Sequence, residues 1–256
     1  MNRVVNRLLM NRLIAPAAAL VASVSAAFAI AGNAPDAAGV PGRAVVMITG
    51  GGASLCSGAA IARDIVLTAA HCVARPQTVV RASKTSAALA IRETAVHPRF
   101  DLQSYVRHRA TADVALIKLA APLPPHIVPA PLALPDLRLA PGDRMTVAGF
   151  GTSAAGSDAG LGVARSAALV VTGQPGNLQV RLYDPATRNQ HAGLGACDGD
   201  SGAPAFHGDR IAGVVTWSTG PGNSAGCGGL TGVTPLTLYR AWIVEQIRRM
   251  GGSLAP

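Results

Sequence analysis

The sequence predicts an all-β protein built as two β units followed by one C-terminal helix. Three observations carry this. Short β-branched and aliphatic runs recur from residue 44 to residue 235, each bounded by turn residues. The 29 glycines and 18 prolines follow no repeat period, and punctuation of that density favours many short elements over long helices. Hydrophobic residues make up 49% of the 256 and charged residues 14%, which excludes a disordered chain and supplies a sizeable core. Aromatics are only 4%, so that core has to be made from Ala, Val, Leu and Ile.

In chain order, strands are expected over 44–49, 58–61, 65–69, 78–82, 88–97 and 114–119, and again over 144–149, 164–171, 178–183, 203–207, 210–217 and 232–235. Runs such as Val45-Val46-Met47-Ile48 and Ile65-Val66-Leu67 have the length and β-branching of buried strands. Between the two groups, residues 120–141 hold seven prolines and no convincing strand, so they read as a linker. The segment 236–250 differs. Leu238, Trp242, Ile243 and Ile247 recur at helical spacing, and Gly251 stops the run.

The first 31 residues read as an export signal. Arg3, Arg7 and Arg12 stand in a stretch without acids, residues 13–31 carry no charge, and Ala27-Phe28-Ala29 offers a small-x-small cleavage site. A signal peptide over 1–29 is therefore expected, leaving a chain from Ile30 that is secreted or periplasmic. The competing reading is an uncleaved membrane anchor, since an apolar run of this length approaches a bilayer span; its alanine richness and Pro16 favour cleavage. Export makes disulfides the default state of the four cysteines. The net charge of +9 comes from 20 Arg and 2 Lys against 13 acids. The arginines are scattered, which does not favour a nucleic-acid partner.

Three segments carry chemistry: Thr68-Ala69-Ala70-His71-Cys72, Ala112-Asp113-Val114 and Cys197-Asp198-Gly199-Asp200-Ser201-Gly202. A serine hydroxyl is a poor nucleophile at neutral pH and needs a base, for which histidine is suited. The histidine needs a carboxylate to fix its tautomer, and the tetrahedral intermediate needs backbone N–H donors. His71, Asp113 and Ser201 provide the first three, and the turn bearing Gly199 and Ser201 can supply the donors. Singly, each is more often a structural residue; together in an exported all-β chain they point to acyl transfer. The order His, Asp, Ser differs from the subtilisin and α/β-hydrolase orders, and Ala203 breaks the Gly-x-Ser-x-Gly elbow of the latter.

With these segments, and with Val96-His97-Pro98, Gly149-Phe150-Gly151 and Ile211–Trp217, the chain resembles the chymotrypsin/trypsin family of serine endopeptidases from about Ile30 to Ile247. The resemblance implies two six-stranded antiparallel β-barrels, 30–125 with His71 and Asp113 and 126–256 with Ser201 and the terminal helix. It pairs Cys56 with Cys72 and Cys197 with Cys227. It implies a substrate pocket at Gly195, Asp198, Thr216, Trp217, Ser218 and Gly232. Gly195 stands where an acid would select Arg or Lys, so small or apolar residues before the scissile bond are expected. Thr216 is placed to donate its hydroxyl to Asp113. The resemblance further implies that a new N-terminal ammonium at Ile30 buries itself against Asp200, with signal cleavage creating the active terminus. No cofactor is required and no metal expected; residues 73–92 hold no carboxylate for a calcium loop. The expected form is a monomer acting on protein or peptide substrates. The alternative is a non-catalytic binding protein on the same scaffold.

Overall fold

The computed structural model describes residues 30–50, 54–74, 78–174 and 177–255. The leader reading falls on residues 1–29, outside the described residues. The first sheet holds β1 (Val45–Gly50), β2 (Ser54–Ala62), β3 (Ile65–Thr68), β4 (Val79–Arg81), β5 (Ile91–Val96) and β6 (Ala115–Leu119) in the order β4-β1-β2-β3-β6-β5. The second holds β7 (Arg144–Gly149), β8 (Arg165–Gly173), β9 (Val180–Tyr183), β10 (Pro204–His207), β11 (Arg210–Ser218) and β12 (Thr231–Pro235), closed into a barrel in the order β10-β11-β12-β9-β8-β7. Every ladder is antiparallel. Closure removes free edges from the second sheet. The first is a half-barrel, in which a single bridge between Val80 and Leu89 turns the chain entering β5 back against β4.

The expected strands all form, with ends displaced by up to four residues. The linker stretch 120–141 contributes no strand among the described residues, only the bridge from Leu132 to Ile211. The terminal helix is shorter than expected. Leu236–Leu238 is a 3-10 turn, and α4 proper is Arg240–Arg249. Ile243 and Ile247 are buried against the first sheet's core, but Leu238 lies in the 3-10 turn and is 44% exposed, so it is not on the buried stripe. Three short helices gave no periodic signal: α1 (Gly39–Ala44), α2 (Ala70–Val73) and α3 (Leu102–Val106). They are one turn or slightly more, too short for an amphipathic period to register.

Two apolar clusters fill the barrels. One packs Ile48, Ile61, Leu67, Leu116 and Ile117 against Tyr239, Ile243 and Ile247, so α4 caps the first sheet. The other joins Ile30, Val147, Leu169, Leu182, Ala203 and Val233 inside the closed barrel. Ile30 is thus a core residue, and Ala31 donates its amide to the Gly195 carbonyl at 2.9 Å. No helix among the described residues is long and apolar enough to cross a membrane.

Candidate active site

Strand pairing brings His71 and Asp113 together. β3 pairs with β6 so that Thr68 faces Ala115. His71 follows that pair by three residues, and Asp113 precedes it by two, so both leave the same end of the ladder. Asp113 is fully buried and spends both oxygens on the histidine: Oδ1 accepts the His71 backbone amide at 2.9 Å and Oδ2 meets Nδ1 at 2.7 Å. This double grip fixes the ring and places Nε2 as the free nitrogen. Tyr105 of α3 stacks on the imidazole, with centroids 4.2 Å apart and planes 14° apart. The ring is consequently only 4% exposed. Asp101 caps α3, accepting the amides of Gln103 and Ser104 and the Ser104 hydroxyl.

Ser201 sits in the turn leading into β10. Its carbonyl accepts the Ser57 amide at 2.7 Å, which ties this turn to β2 of the first sheet. The Ser57 hydroxyl adds a second tie, donating to the Gly199 carbonyl at 3.0 Å while accepting the Phe150 amide at 3.0 Å. Two glycines make the turn possible. Gly199 has φ +94° and Gly202 φ +81°, and a Cβ on Gly202 would lie 2.2 Å from the Thr68 hydroxyl and 2.3 Å from the Ser57 carbonyl. The amides of Gly199 and Ser201 make no hydrogen bond among the described residues. No hydrogen bond joins the Ser201 hydroxyl to His71 either; Nε2 lies 3.7 Å from the Cys72 sulfur.

Both disulfides form, Cys56–Cys72 and Cys197–Cys227, spanning 16 and 30 residues. Each tethers a segment adjoining a candidate catalytic residue, and loops of this size contribute roughly 3 kcal/mol each on the chain-entropy account. Sulfur–histidine and sulfur–carboxylate clusters occur at Cys56, His71, Cys72 and at Cys197, Asp198, Cys227. Their cysteines are all in disulfides and have no thiolate to offer a metal.

A cleft of about 980 Å³ runs between the two units and is lined by Ser201, Gly199, Asp198, Thr216, Trp217 and Ser218 among others. Four of the six expected pocket residues therefore line it. Gly195 and Gly232 do not. The indole of Trp217 lies directly on Gly232, where a Cβ would come within 1.9 Å of Cε2. Gly195 is set behind, with Ala196 reaching the cleft wall and held by its amide on the Thr231 hydroxyl at 2.9 Å. Asp198 is exposed at the rim and accepts the Gly156 amide at 3.3 Å. The expected bond from Thr216 to Asp113 is replaced by one to Thr234, hydroxyl to hydroxyl at 2.7 Å. A cross-strand partner on the same sheet is closer than a carboxylate of the other unit.

Asp200 is wholly buried and accepts the amides of Gly151 and Cys197, each at 2.9 Å. It has no cationic partner among the described residues. Burial pushes its carboxyl up to about 7 against the downward pull of those two amides. In the uncut chain Ile30 carries a peptide nitrogen, so it has no ammonium to offer. Sequence reading missed Ser57 and Tyr105. The signal for Ser57 was a polar residue inside an apolar strand; Tyr105 lies 34 residues from His71 and left no local trace.

The trypsin family model matches residues 30–243. Among characterised proteins, Serine protease SP24D of Anopheles gambiae is 27% identical over 214 residues, covering 80% of this chain and 76% of that protein. Human Kallikrein-10 is 30% identical over 210 residues, covering 75% and 74% respectively. Among solved structures, human heparin binding protein superposes with a TM-score of 0.69 at 24% identity, over 88% of this chain and 99% of that one, a likeness of fold. Family model, sequence relatives and the paired six-stranded sheets agree, and the chain belongs to the trypsin family of serine proteases.

Proposed function

We propose that this chain is a serine endopeptidase acting through His71, Asp113 and Ser201. The observation that carries the reading is a match of spent and unspent groups. Asp113 uses both oxygens to orient His71, while the Gly199 and Ser201 amides at the cleft remain uncommitted. Ser201 Oγ gives its proton to His71 Nε2 and attacks the substrate carbonyl carbon. The oxyanion forms against the two amides. Nε2 then returns the proton to the leaving amine, and the acyl group stays on Ser201 until an activated water releases it. Asp113 stabilises the imidazolium throughout. The hydroxyl must rotate and the imidazole shift for the first transfer, since no bond joins them here.

The proposal includes export, with Ile30 as the mature terminus and its ammonium as the partner of Asp200. The two disulfides fit an oxidising compartment. The substrate is a protein or peptide. Before the scissile bond, a non-basic residue fits, because Gly195 supplies no counter-charge, and Ala196, Val215 and Trp217 offer apolar wall to small or apolar side chains. A second reading, a non-catalytic binding protein, is favoured by one observation: Tyr105 covers His71 and no bond reaches Ser201. A fluorophosphonate probe separates them. The wild type is expected to be labelled and Ser201→Ala not; an unlabelled wild type, or equal labelling of both, would overturn the assignment.

A further inference from the structure

Strand register places three residues in one row across the outer face of the closed barrel. Arg181 of β9 faces Gly232 of β12, and Gly232 faces Trp217 of β11. Directly paired residues project their side chains to the same side of a sheet. Their neighbours Val180, Leu182 and Val233 point inward to the core, so this row points outward. Arg181 and Trp217 both line the cleft that holds Ser201. Gln179, immediately before β9, lines it as well.

The middle of the row is a glycine. With no side chain at 232, the indole of Trp217 folds over the glycine, toward the strand that carries Arg181; the backbones of the two residues stand about two strand spacings, roughly 10 Å, apart. The Arg181 side chain is exposed and makes no ion pair or hydrogen bond among the described residues. The cleft's acids belong to other segments. Asp198 is on the turn before Ser201 with its carboxylate toward Gly156, and Asp158 follows Gly156 by two residues. A fixed strand thus presents an uncommitted fork of N–H donors to the cleft, with a second donor from the Gln179 amide beside it. A carboxylate matches a guanidinium in charge and in planar, two-point geometry.

We infer that Arg181 is a specificity-determining residue, binding an acidic substrate side chain, Glu or Asp, at the residue before the scissile bond. This deepens the protease reading above and rests on it. It adds an acidic class to the non-basic preference that Gly195 already sets. A basic side chain at this position would meet like charge.

The test uses peptides that differ only at that residue, with Glu, Gln, Ala or Arg, and protein titrated for active sites with a fluorophosphonate. The wild type is expected to favour Glu over its isostere Gln by about ten-fold in kcat/KM, the size of one charge-assisted contact in a partly solvated cleft, with Arg cleaved slowest. In Arg181→Gln the Glu-to-Gln ratio should fall close to one, and in Arg181→Glu it should invert in favour of Arg. A wild type that prefers Gln, or an unchanged ratio in Arg181→Gln, overturns the assignment. Binding of the same peptides to Ser201→Ala reads the same discrimination without turnover. A chain that binds Glu peptides through Arg181 but cleaves nothing would sink the protease reading and leave Arg181 as an acidic-peptide contact. Binding indifferent to both the peptide's charge and Arg181 would sink the inference alone.

Discussion

The buried carboxylate of Asp200 makes stability depend on what precedes Ile30. In the chain with a peptide nitrogen at Ile30, burial holds this group at about 7 against an ordinary 3.8. The folded state then binds the proton more tightly than the unfolded state does. Stability from this group is fully present below about pH 4 and is lost as pH rises to 7. At about 1.36 kcal/mol per pH unit, the loss is on the order of 4 kcal/mol, a large part of the 5 to 15 kcal/mol that typical domains have. On the proposed pairing, a free ammonium at Ile30 should reverse the balance. An opposite charge in a dry site favours the ionised carboxylate, so the decline between pH 4 and 7 should vanish.

The comparison is between two purified chains, one beginning at Ile30 and one retaining Ala29. Urea unfolding with disulfides intact, from pH 4.5 to 7.5, gives the difference in unfolding free energy. Every other titrating side chain is common to both and cancels, including His97, whose buried ring titrates low; the two α-amino groups begin to titrate only near the top of the range. The Ala29 chain should lose stability relative to the Ile30 chain steadily across the range, by several kcal/mol at the top. Turnover should follow, because Asp200 is one residue from Ser201 and its displacement loosens the Gly199 and Ser201 donors. Parallel curves would refute the argument, showing either that Asp200 is neutralised by another route or that the ammonium never reaches it.

Two further outcomes test how the site is held. Ser57→Ala removes the donor to the Gly199 carbonyl and orphans the Phe150 amide; it should cost about 1 to 3 kcal/mol of stability and lower kcat more than it changes KM, and an unaltered kcat would count against Ser57 as a positioning residue. Gly232→Ala would bring a methyl within 1.9 Å of the Trp217 ring, so the indole must leave its seat; read in a Trp242→Phe background, the remaining tryptophan emission should shift, whereas an unmoved spectrum would show that the indole does not rest on Gly232.

What the sequence revealed and what it hid have a common physical origin. Most strands were legible because they are continuous or alternating apolar runs set between turn residues, and that information is local. The candidate site residues His71, Asp113 and Ser201 were legible for a different reason: the proposed chemistry calls for those groups, and their flanking segments resemble a known family. The illegible parts are relations between distant strands. Thr216 was assigned to Asp113, yet its hydroxyl faces Thr234 because β11 and β12 are paired. Gly195 and Gly232 were assigned to the pocket surface, yet an indole fifteen residues before Gly232 covers it once Trp217 and Gly232 come into register. Arg181 carried no motif at all, and only its alignment beside Gly232 brings it to the cleft. Register therefore decides which side chains line this cleft. A one-residue slip of β9 against β12 would turn Arg181 inward and Val180 or Leu182 outward, and the buried apolar pair at those two positions is what forbids it.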